Sequence, residues 1–275
     1  MANPKPKRTK HPTQAEQADR HRLYELSVQN PEAEITFIDA AFRALRRRRA
    51  RLLREDFCGT AAVSCEWARL RPTNRAIGVD LDPEVLAWGR EYNLSQLSAE
   101  AAERVELIQS DVLKVSTEEP PDVIAAMNFS YWLFKDRKQL KRYFRRAREA
   151  LAEGGILFLD AYGGYDSYRE ITEERELDGF TYIWEQAKYE PIQNGLICHI
   201  HFSFPDGSRL DRAFSYDWRL WSLPEIRELL EETGFRQVTV YWQGYDEDGE
   251  PDGVFVPVGE GEADAGWICY LTAEK

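Results

Sequence analysis

The chain has no long apolar run. No stretch approaches the roughly 20 consecutive apolar residues that a membrane-spanning helix needs, so we expect no membrane partner. The first residues, MANPKPKRTKHPTQ, lack the apolar core of a secretory signal. Their proline and lysine content is typical of a disordered basic tail, which we place over residues 1–20. Both absences favour a cytoplasmic protein.

Cysteine is sparse, and its spacing excludes the common metal and redox motifs. The four cysteines form no CxxC pair and are not spaced like metal ligands. We therefore expect reduced thiols and no metal site. The formal net charge of −12 argues against general affinity for nucleic acid, although local basic patches could still bind it. The sequence leaves the oligomeric state open.

Strand-like and helix-like segments alternate along most of the chain. Short apolar segments are typical of buried strands, and apolar residues three and four apart are typical of helices. Seven segments have strand character: 52–53, 75–80, 105–109, 123–128, 156–160, 237–242 and 267–272. Helical patterns lie at 32–48 and 61–70, from Asp82 and Pro83 onward, and at 139–151. This order predicts an α/β fold with a Rossmann-like, doubly wound, seven-stranded sheet.

A different pattern interrupts this alternation. Residues 179–189, 196–204 and 209–219 alternate like antiparallel strands, and Pro205-Asp206-Gly207-Ser208 is a strong turn signal. We predict a single domain over residues 21–275 with an antiparallel β insertion at about 171–221. Because the insertion leaves and re-enters the core beside the fifth strand, it should form a lid over the strand ends. The acidic stretch 245–266 is predicted to be a solvated loop.

Polar residues follow four of the predicted strands. The stretch LLREDFCGTAAVS at 52–64 joins a strand to a helix through a loop, in which Gly59 allows a ligand to approach the backbone closely. The N–H groups at the start of the helix are expected to be free for that ligand. Asp80 ends the second strand, where an acid can accept ribose hydroxyls. Asp111 follows the third strand and could accept from an adenine amino group, and Asn128 follows the fourth.

These segments resemble the motifs of the class I S-adenosylmethionine-dependent methyltransferases. The first motif of that family often has an acid followed by Gly-Cys-Gly-Thr-Gly, which matches Cys58-Gly59-Thr60 and places the acid on Glu55. Phe57 and Ala61 stand where the family has glycine, and from Phe57 we expect no positive φ at that point of the loop. The segments 78–82 and 110–112 are similar to the family's ribose and adenine motifs. The resemblance covers about residues 50–165 and 215–275.

The resemblance implies an enzyme with S-adenosylmethionine as its cofactor. Backbone near Gly59 would then cradle the methionine part of the cofactor, so the full glycine motif that binds a diphosphate is unnecessary. The cofactor contacts that the resemblance implies are Tyr24, Glu55, Cys58, Gly59, Thr60, Asp80, Leu81, Asp111, Val112 and Asn128.

The segment Asn128-Phe129-Ser130-Tyr131 is informative about the methyl acceptor. It is similar to the Asn-Pro-Pro-Tyr motif of enzymes that methylate planar amino groups, without its prolines. It is also similar to the Asn-Ser-Phe segment of amine methyltransferases related to the glycine and sarcosine enzymes, and the predicted lid favours this second likeness. A small-molecule acceptor, with an amine nitrogen, is therefore the leading hypothesis. A macromolecular acceptor (RNA or protein) and a non-catalytic binding module are the alternatives.

Four residues are candidates for the catalytic step. Tyr131 and Tyr162 follow the fourth and fifth strands, where a hydroxyl could hold the nucleophile or shield the methyl group. Asn128, at the end of the fourth strand, is a further candidate for the catalytic step. His201 shares a strand face with His199, and a general base or an ordinary lid histidine are both compatible with that position.

Overall fold

The computed structural model describes residues 11–245 and 251–275. Its eight helices are α1 (Gln14–Gln17), α2 (Arg20–Ser27), α3 (Pro31–Arg46), α4 (Ala62–Leu70), α5 (Pro83–Tyr92), α6 (Ala99–Ala102), α7 (Arg137–Ala150) and α8 (Leu223–Glu232). The first five strands are β1 (Leu52–Asp56), β2 (Arg75–Asp80), β3 (Val105–Gln109), β4 (Val123–Ala126) and β5 (Ile156–Gly163). The remaining strands are β6 (Ile171–Leu177), β7 (Phe180–Glu190), β8 (Gly195–Ser203), β9 (Arg209–Arg219), β10 (Gln237–Tyr245), β11 (Pro251–Val258) and β12 (Trp267–Glu274). These counts apply to the described residues.

The first sheet is a Rossmann-like doubly wound sheet, as predicted. Its strand order is β11-β10-β12-β5-β4-β1-β2-β3, with β1 to β5 parallel and β10 to β12 antiparallel. The order reverses between β1 and β4, which is where ligands of such sheets bind. The sheet has eight strands instead of seven because residues 251–258 pair with β10. The prediction of a loop throughout 245–266 is therefore wrong for that segment, and residues 246–250 lie outside the described part.

Helices cover both faces of this sheet. Successive residues of a strand point to opposite faces, so β5 buries Phe158 on one face and Leu159 on the other. The first face packs against α3 and α4 through residues such as Ile38 and Trp67. The second packs against α7 and α8 and includes Phe144. No helix of the described residues is long and apolar enough to cross a membrane.

The insertion forms a second sheet of order β6-β7-β8-β9, in which all neighbouring strands are antiparallel. The strand β6 adds one strand to the three predicted. The inner face of this sheet carries apolar residues of β8 such as Leu196 and Cys198, which pack into the core beneath it. The next residue along the strand, His199, therefore points to the outer face.

The amino-terminal helices connect the two sheets. Helix α1 has a complete capping box formed by Thr13 and Glu16. Its first turn is held by the turn between β8 and β9, since Gln14 N donates to Asp206 Oδ2 at 2.8 Å and Ala15 N to Ser208 Oγ at 3.0 Å. Helix α1 therefore lies within the segment 1–20 that the sequence predicted to be a disordered tail. Residues 1–10 lie outside the described part.

Candidate active site

A cavity of about 420 Å³ lies at the carboxyl ends of the parallel strands, beneath the second sheet. This volume falls within the roughly 300–1,000 Å³ typical of small-molecule sites. One wall is formed by residues at the ends of β2, β3 and β4. A second wall is formed by the edge strand β9. The lining residues are Tyr24, Phe57, Asp80, Leu81, Ser110, Asp111, Val112, Asn128, Ser130, Leu133, Phe134, Ser215, Tyr216, Asp217 and Trp218.

The loop after β1 has three residues in the left-handed region of backbone space. Phe57, Gly59 and Ala61 have φ values of +59°, +52° and +60°. The expectation that Phe57 needs no positive φ is therefore wrong. The loop keeps the backbone path of a three-glycine motif, although two of the three residues carry a side chain that disfavours it. The aromatic ring of Phe57 packs against Phe134 and Tyr143, with centroids 6.0 and 5.6 Å away, and this burial helps to offset the strain.

The N–H groups of this loop are largely engaged within the protein. Gly59 N donates to Asp80 Oδ2 at 2.8 Å, and Cys58 N donates to the Val79 carbonyl at 3.0 Å. At the start of α4, Ser64 N donates to Glu55 Oε2 at 2.8 Å. These bonds correct the expectation of free N–H groups for a ligand at these positions. Gly59 instead provides space, because no atom lies within 4 Å of where its Cβ would be.

Cys58, Thr60 and Glu55 support the loop from below. All three side chains are buried, and none of them lines the cavity. Glu55 accepts the Ser64 hydroxyl at 2.6 Å as well as its N–H, and burial raises the pKa of Glu55 to about 7. The backbone at Thr60 lies so close to α5 that a Cβ on Gly89 would be 2.5 Å from the Thr60 oxygen. These three predicted residues therefore hold the loop in place.

The side chains of Asp80 and Asp111 line the cavity, as expected from their positions after β2 and β3. Asp80 Oδ1 accepts a hydrogen bond from the backbone N–H of Asp82 at 2.9 Å. Asp80 Oδ2 accepts one from the backbone N–H of Gly59. Each carboxylate oxygen can accept a second hydrogen bond, so both retain capacity for a ligand. Asp111 Oδ1 accepts Leu113 N at 2.9 Å, which orients that carboxylate in the same way.

Apolar residues complete this part of the cavity. Leu81, at 68% exposure, and Val112 line it beside the two acids. An exposed leucine next to a hydrogen-bonding acid is suited to cover the face of a flat ring while the acid binds polar atoms at its edge. These four predicted residues, two acidic and two apolar, are thus together on one cavity.

Asn128 lines the cavity because Asp160 fixes the backbone turn after β4. Asn128 and Phe129 both have positive φ, at +57° and +55°. Their N–H groups donate to the two oxygens of Asp160 at 2.7 and 2.9 Å. Burial raises the pKa of Asp160 to about 7, although these two bonds favour its charged form. The acid is therefore a positioning group for the turn.

The structure places both candidate tyrosines away from the cavity. Tyr131 is fully buried, and its hydroxyl donates to the carbonyl of Asp160 at 2.7 Å. Tyr162 packs against Phe129 and Trp132, with centroids 4.7 and 4.8 Å away, and its burial raises its pKa far above the usual value. Neither residue lines the cavity. Both pack in the core, which contradicts the prediction that they contact the acceptor.

His201 also lies outside the cavity, on the outer face of the second sheet. Its Nδ1 accepts the backbone N–H of Arg212 at 3.1 Å, and its Nε2 lies 3.0 Å from Glu185 Oε2. The same Nδ1 also lies 3.2 Å from Asp211 Oδ1, so residues of the lid contact both nitrogens of the ring. The candidate general base is therefore held by the lid itself. In the described residues, no group of three His, Cys, Asp or Glu residues is arranged to hold a metal.

The sequence analysis missed two aromatic residues of β9 that face the cavity. Tyr216 and Trp218 lie two positions apart and stack with centroids 4.3 Å apart. Tyr24 of α2 lines the same cavity, and its ring packs against Phe214 of β9 with centroids 4.9 Å apart, which connects the lid to α2. The alternation of β9 was visible in the sequence, but the face that meets the cavity depends on its pairing with β8.

Helix α2 also contacts the loop after β1 directly. Thr60 Oγ1 donates to Glu25 Oε1 at 2.7 Å, and Asn93 Nδ2 donates to the same oxygen at 2.6 Å. One carboxylate therefore joins α2 to the loop and to the end of α5. This contact and the packing of Tyr24 on Phe214 together hold α2 over the cavity.

Comparison with known proteins agrees with this geometry. Residues 58–157 match the family model of a methyltransferase domain. The chain therefore carries a methyltransferase domain. No curated protein matches it by sequence.

Several solved structures share the fold of this methyltransferase. An S-adenosylmethionine-dependent methyltransferase from Clostridium acetobutylicum is 18% identical, with a TM-score of 0.67 over 92% of this chain and 96% of that chain. The amino pentose methyltransferase CalS10 from Micromonospora echinaspora is 14% identical, with a TM-score of 0.65 over 93% and 96%. The sugar N-methyltransferase KedS8 from Streptoalloteichus sp. is 17% identical, with a TM-score of 0.62 over 100% and 98%.

The cofactor of class I methyltransferases is S-adenosylmethionine, and the residues of the cavity fit it. Asp80 has acceptor capacity for ribose hydroxyls, and Asp111 for the adenine amino group. Leu81 and Val112 offer apolar surface to the base. The space above Gly59, which a Cβ would enter, is suited to the methionine chain. The two acids thus lie where the polar groups of an adenosine would bind, and the two apolar residues lie where its base would pack.

Proposed function

We propose that this methyltransferase transfers the methyl group of S-adenosylmethionine to an amine nitrogen of a small molecule. The observation that supports this most is the shared cavity, in which Asp80, Asp111 and Asn128 face Tyr216 and Trp218 of the lid. A site covered by the second sheet and by α2 suits a small acceptor better than a bulky one. Two of the similar structures are named for amino pentose and sugar N-methylation, which also favours an amine.

The chemistry needs little from the protein beyond alignment. When bound, S-adenosylmethionine supplies a methyl carbon on a positively charged sulfur, and the nitrogen attacks that carbon as the carbon–sulfur bond breaks towards sulfur. Asn128 is suited to orient the amine, since its side chain lies at the cavity and its backbone is fixed by Asp160. Good orientation of two reactants can be worth about 7–11 kcal/mol of the barrier.

The lid contributes aromatic surface and excludes water. The rings of Tyr216 and Trp218 offer faces to the ammonium that forms when the neutral amine accepts the methyl group, or to the apolar face of a sugar ring. An amine that is protonated in solution must lose a proton before it attacks. The site has no free histidine among its lining residues, so we infer that the neutral amine binds and that the proton leaves to water after transfer.

A substrate panel tests this proposal. Release of S-adenosylhomocysteine is measured with amino sugars, with glycine and sarcosine, and with RNA and protein substrates. We expect turnover with at least one small amine, and we expect Asn128→Ala to lose most of it while retaining S-adenosylhomocysteine binding. Turnover with RNA or protein alone would contradict the small-molecule proposal, and failure to bind S-adenosylhomocysteine would favour a non-catalytic module.

A further inference from the structure

The charged residues that line the cavity all have the same sign. They are Asp80, Asp111 and Asp217, and no lysine, arginine or histidine of the described chain is among the lining residues. A cleft lined by charges of one sign concentrates ligands of the opposite charge and disfavours ligands of the same charge. A molecule that enters this cavity therefore meets carboxylates and no cation in its walls.

Two lysines lie next to the cavity, and each is paired with one of these acids. Lys135 Nζ lies 2.7 Å from Asp217 Oδ2, and Lys114 Nζ lies 3.5 Å from Asp111 Oδ2. Neither lysine lines the cavity. An anionic group of a ligand would have to compete with a carboxylate of the protein for either lysine.

Asp217 is the acid on the lid side of the cavity. It lies on β9 between Tyr216 and Trp218, the two aromatic residues that face the acceptor in the proposed function. Ser215 is bonded to His199 of the outer face of the lid at 2.8 Å. Residues two apart share a face of a strand, so Asp217 belongs to the outer face as well. It still reaches the cavity because β9 is an edge strand, and its side chain is 62% exposed. Asp217 thus lies at the rim through which an acceptor would enter.

The other polar groups near the lid are neutral. Ser130, Ser215 and the amide of Asn128 line the cavity together with the rings of Tyr216 and Trp218. The Ser130 hydroxyl donates to the Met127 carbonyl at 2.6 Å, which leaves its oxygen able to accept a hydrogen bond. Hydroxyl and amide groups are suited to bind the hydroxyl groups of an acceptor. The acceptor side therefore offers partners to an uncharged, hydroxylated molecule and none to an anion.

We propose that Asp217 restricts the acceptor to amines that carry no carboxylate or phosphate group, such as free amino sugars. This inference rests on the proposed function and narrows its substrate class. A carboxylate or phosphate at the rim would be repelled by Asp217, which also occupies Lys135. The same negative charge favours the ammonium that forms on methyl transfer. The methionine part of the cofactor is assigned to the space above Gly59, so the restriction applies to the acceptor alone.

The experiment compares pairs of amines that differ in one anionic group. The pairs are glucosamine with glucosamine 6-phosphate, ethanolamine with phosphoethanolamine, and glycine methyl ester with glycine. Release of S-adenosylhomocysteine gives kcat/KM for each amine. For the native chain, we expect the uncharged member of each pair that reacts to be preferred by at least about tenfold, because like charges brought together suppress the wrong partner.

Asp217→Asn should relax this preference. The substitution removes the repulsion and releases Lys135 to pair with the anionic group, so the ratio of the two kcat/KM values should fall by at least about fivefold. Affinity for S-adenosylhomocysteine, measured by calorimetry, should stay close to the native value and shows that the variant is folded. Asp178→Asn is the matched control. Asp178 is an exposed acid in the turn between β6 and β7, does not line the cavity and carries the same charge, so its substitution should leave the ratio unchanged.

Salt separates repulsion from simple exclusion by size. Exposed charges are screened over about 10 Å at 0.1 M salt. Raising the salt concentration should therefore reduce the native preference and change little in Asp217→Asn. A native preference that is independent of salt would overturn the inference, as would an unchanged ratio in Asp217→Asn or equal kcat/KM values within the pairs. Absence of turnover with every amine, in a chain that binds S-adenosylhomocysteine, would instead contradict the proposed function.

Discussion

The carboxylate of Asp80 accepts the backbone N–H of Gly59 at 2.8 Å, across the gap between β2 and the loop after β1. The same carboxylate lines the cavity, where it is expected to meet the ribose. One side chain therefore holds the loop and offers oxygens to the ligand. A substitution of Asp80 should therefore affect both the loop and ligand binding. A substitution of a residue that contacts only the ligand should affect binding alone.

Asp80→Ala should weaken binding of S-adenosylhomocysteine by well over tenfold. A hydrogen bond to a charged group contributes about 1.5–3 kcal/mol, and the substitution removes the ribose acceptors together with the bond to Gly59. Titration calorimetry measures the affinity. Asp82→Ala is the matched control, because Asp82 caps α5 at Glu84 N, at 2.8 Å. Asp82→Ala should lower the unfolding free energy by about 0.5–2 kcal/mol with little change in affinity. Similar affinities for Asp80→Ala and Asp82→Ala would refute the role of Asp80 in binding.

Gly59→Ala should separate binding from stability. A Cβ at Gly59 meets no atom within 4 Å, so the substitution adds a left-handed alanine without a clash. The expected loss is about 1 kcal/mol of unfolding free energy. The methyl group would enter the space assigned to the methionine chain, so affinity for S-adenosylhomocysteine should fall at least tenfold.

Gly179→Ala is the control for Gly59→Ala. Gly179 also has positive φ, at +83°, and open space around its Cβ position, and it lies in the turn between β6 and β7. Urea unfolding should show a similar loss of stability for both variants, and calorimetry should show unchanged affinity for Gly179→Ala alone. If Gly59→Ala binds as tightly as the native chain, the methionine part lies elsewhere.

Tyr131→Phe should reduce stability and leave catalysis intact. The hydroxyl of Tyr131 is buried and donates to the Asp160 carbonyl at 2.7 Å, so its removal should cost about 0.5–1.5 kcal/mol in unfolding free energy. Tyr165→Phe, at a side chain that is 63% exposed, should change stability by less than about 0.5 kcal/mol. The rate of methyl transfer per folded molecule should match the native rate for both variants. A large loss of turnover in Tyr131→Phe would restore the catalytic role that the structure contradicts.

The elements that could be predicted from the sequence are those with local signals. The bounds of β2 and β3 were as predicted, and Asp82 caps α5 in the expected way. Asp80 and Asp111 were found because residues that end parallel strands must lie at one edge of the sheet. Alternation, capping residues and strand ends are all visible within a few residues.

The features that could not be predicted depend on distant contacts. Phe57 has positive φ, and the rings of Phe134 and Tyr143 that pack against its side chain come from outside the loop. Tyr131 was assigned to the site because it follows β4, but the hydroxyl is directed to the carbonyl of Asp160 on β5. His201 was placed on a strand correctly, and only the pairing of β8 with its neighbours shows that this strand face is the outer one. Such orientations require the register between strands, which a single sequence does not show.

The stability of the ligand-free protein should fall as the pH rises from 5 to 8. The pKa values of Glu34, Glu55 and Asp160 are raised to about 8, 7 and 7, chiefly by burial. Unfolded Glu and Asp titrate near about 4.3 and 3.9, so between these limits the folded state binds more protons than the unfolded state. Stability is then lost as the pH rises, and the loss is complete above the folded pKa values.

Glu34→Gln should make this pH dependence shallower. The glutamine side chain resembles the protonated carboxyl group in shape and does not ionise, so the share of the loss that comes from Glu34 disappears. Urea unfolding of both chains at pH 5, 6, 7 and 8 measures the slope. Glu32→Gln, which changes an exposed acid of the same helical turn, is the control. We expect the variant to gain most on the native chain at pH 8, where the native carboxyl group must begin to ionise without a partner. Equal slopes for the native chain and Glu34→Gln would show that burial does not raise the pKa of Glu34.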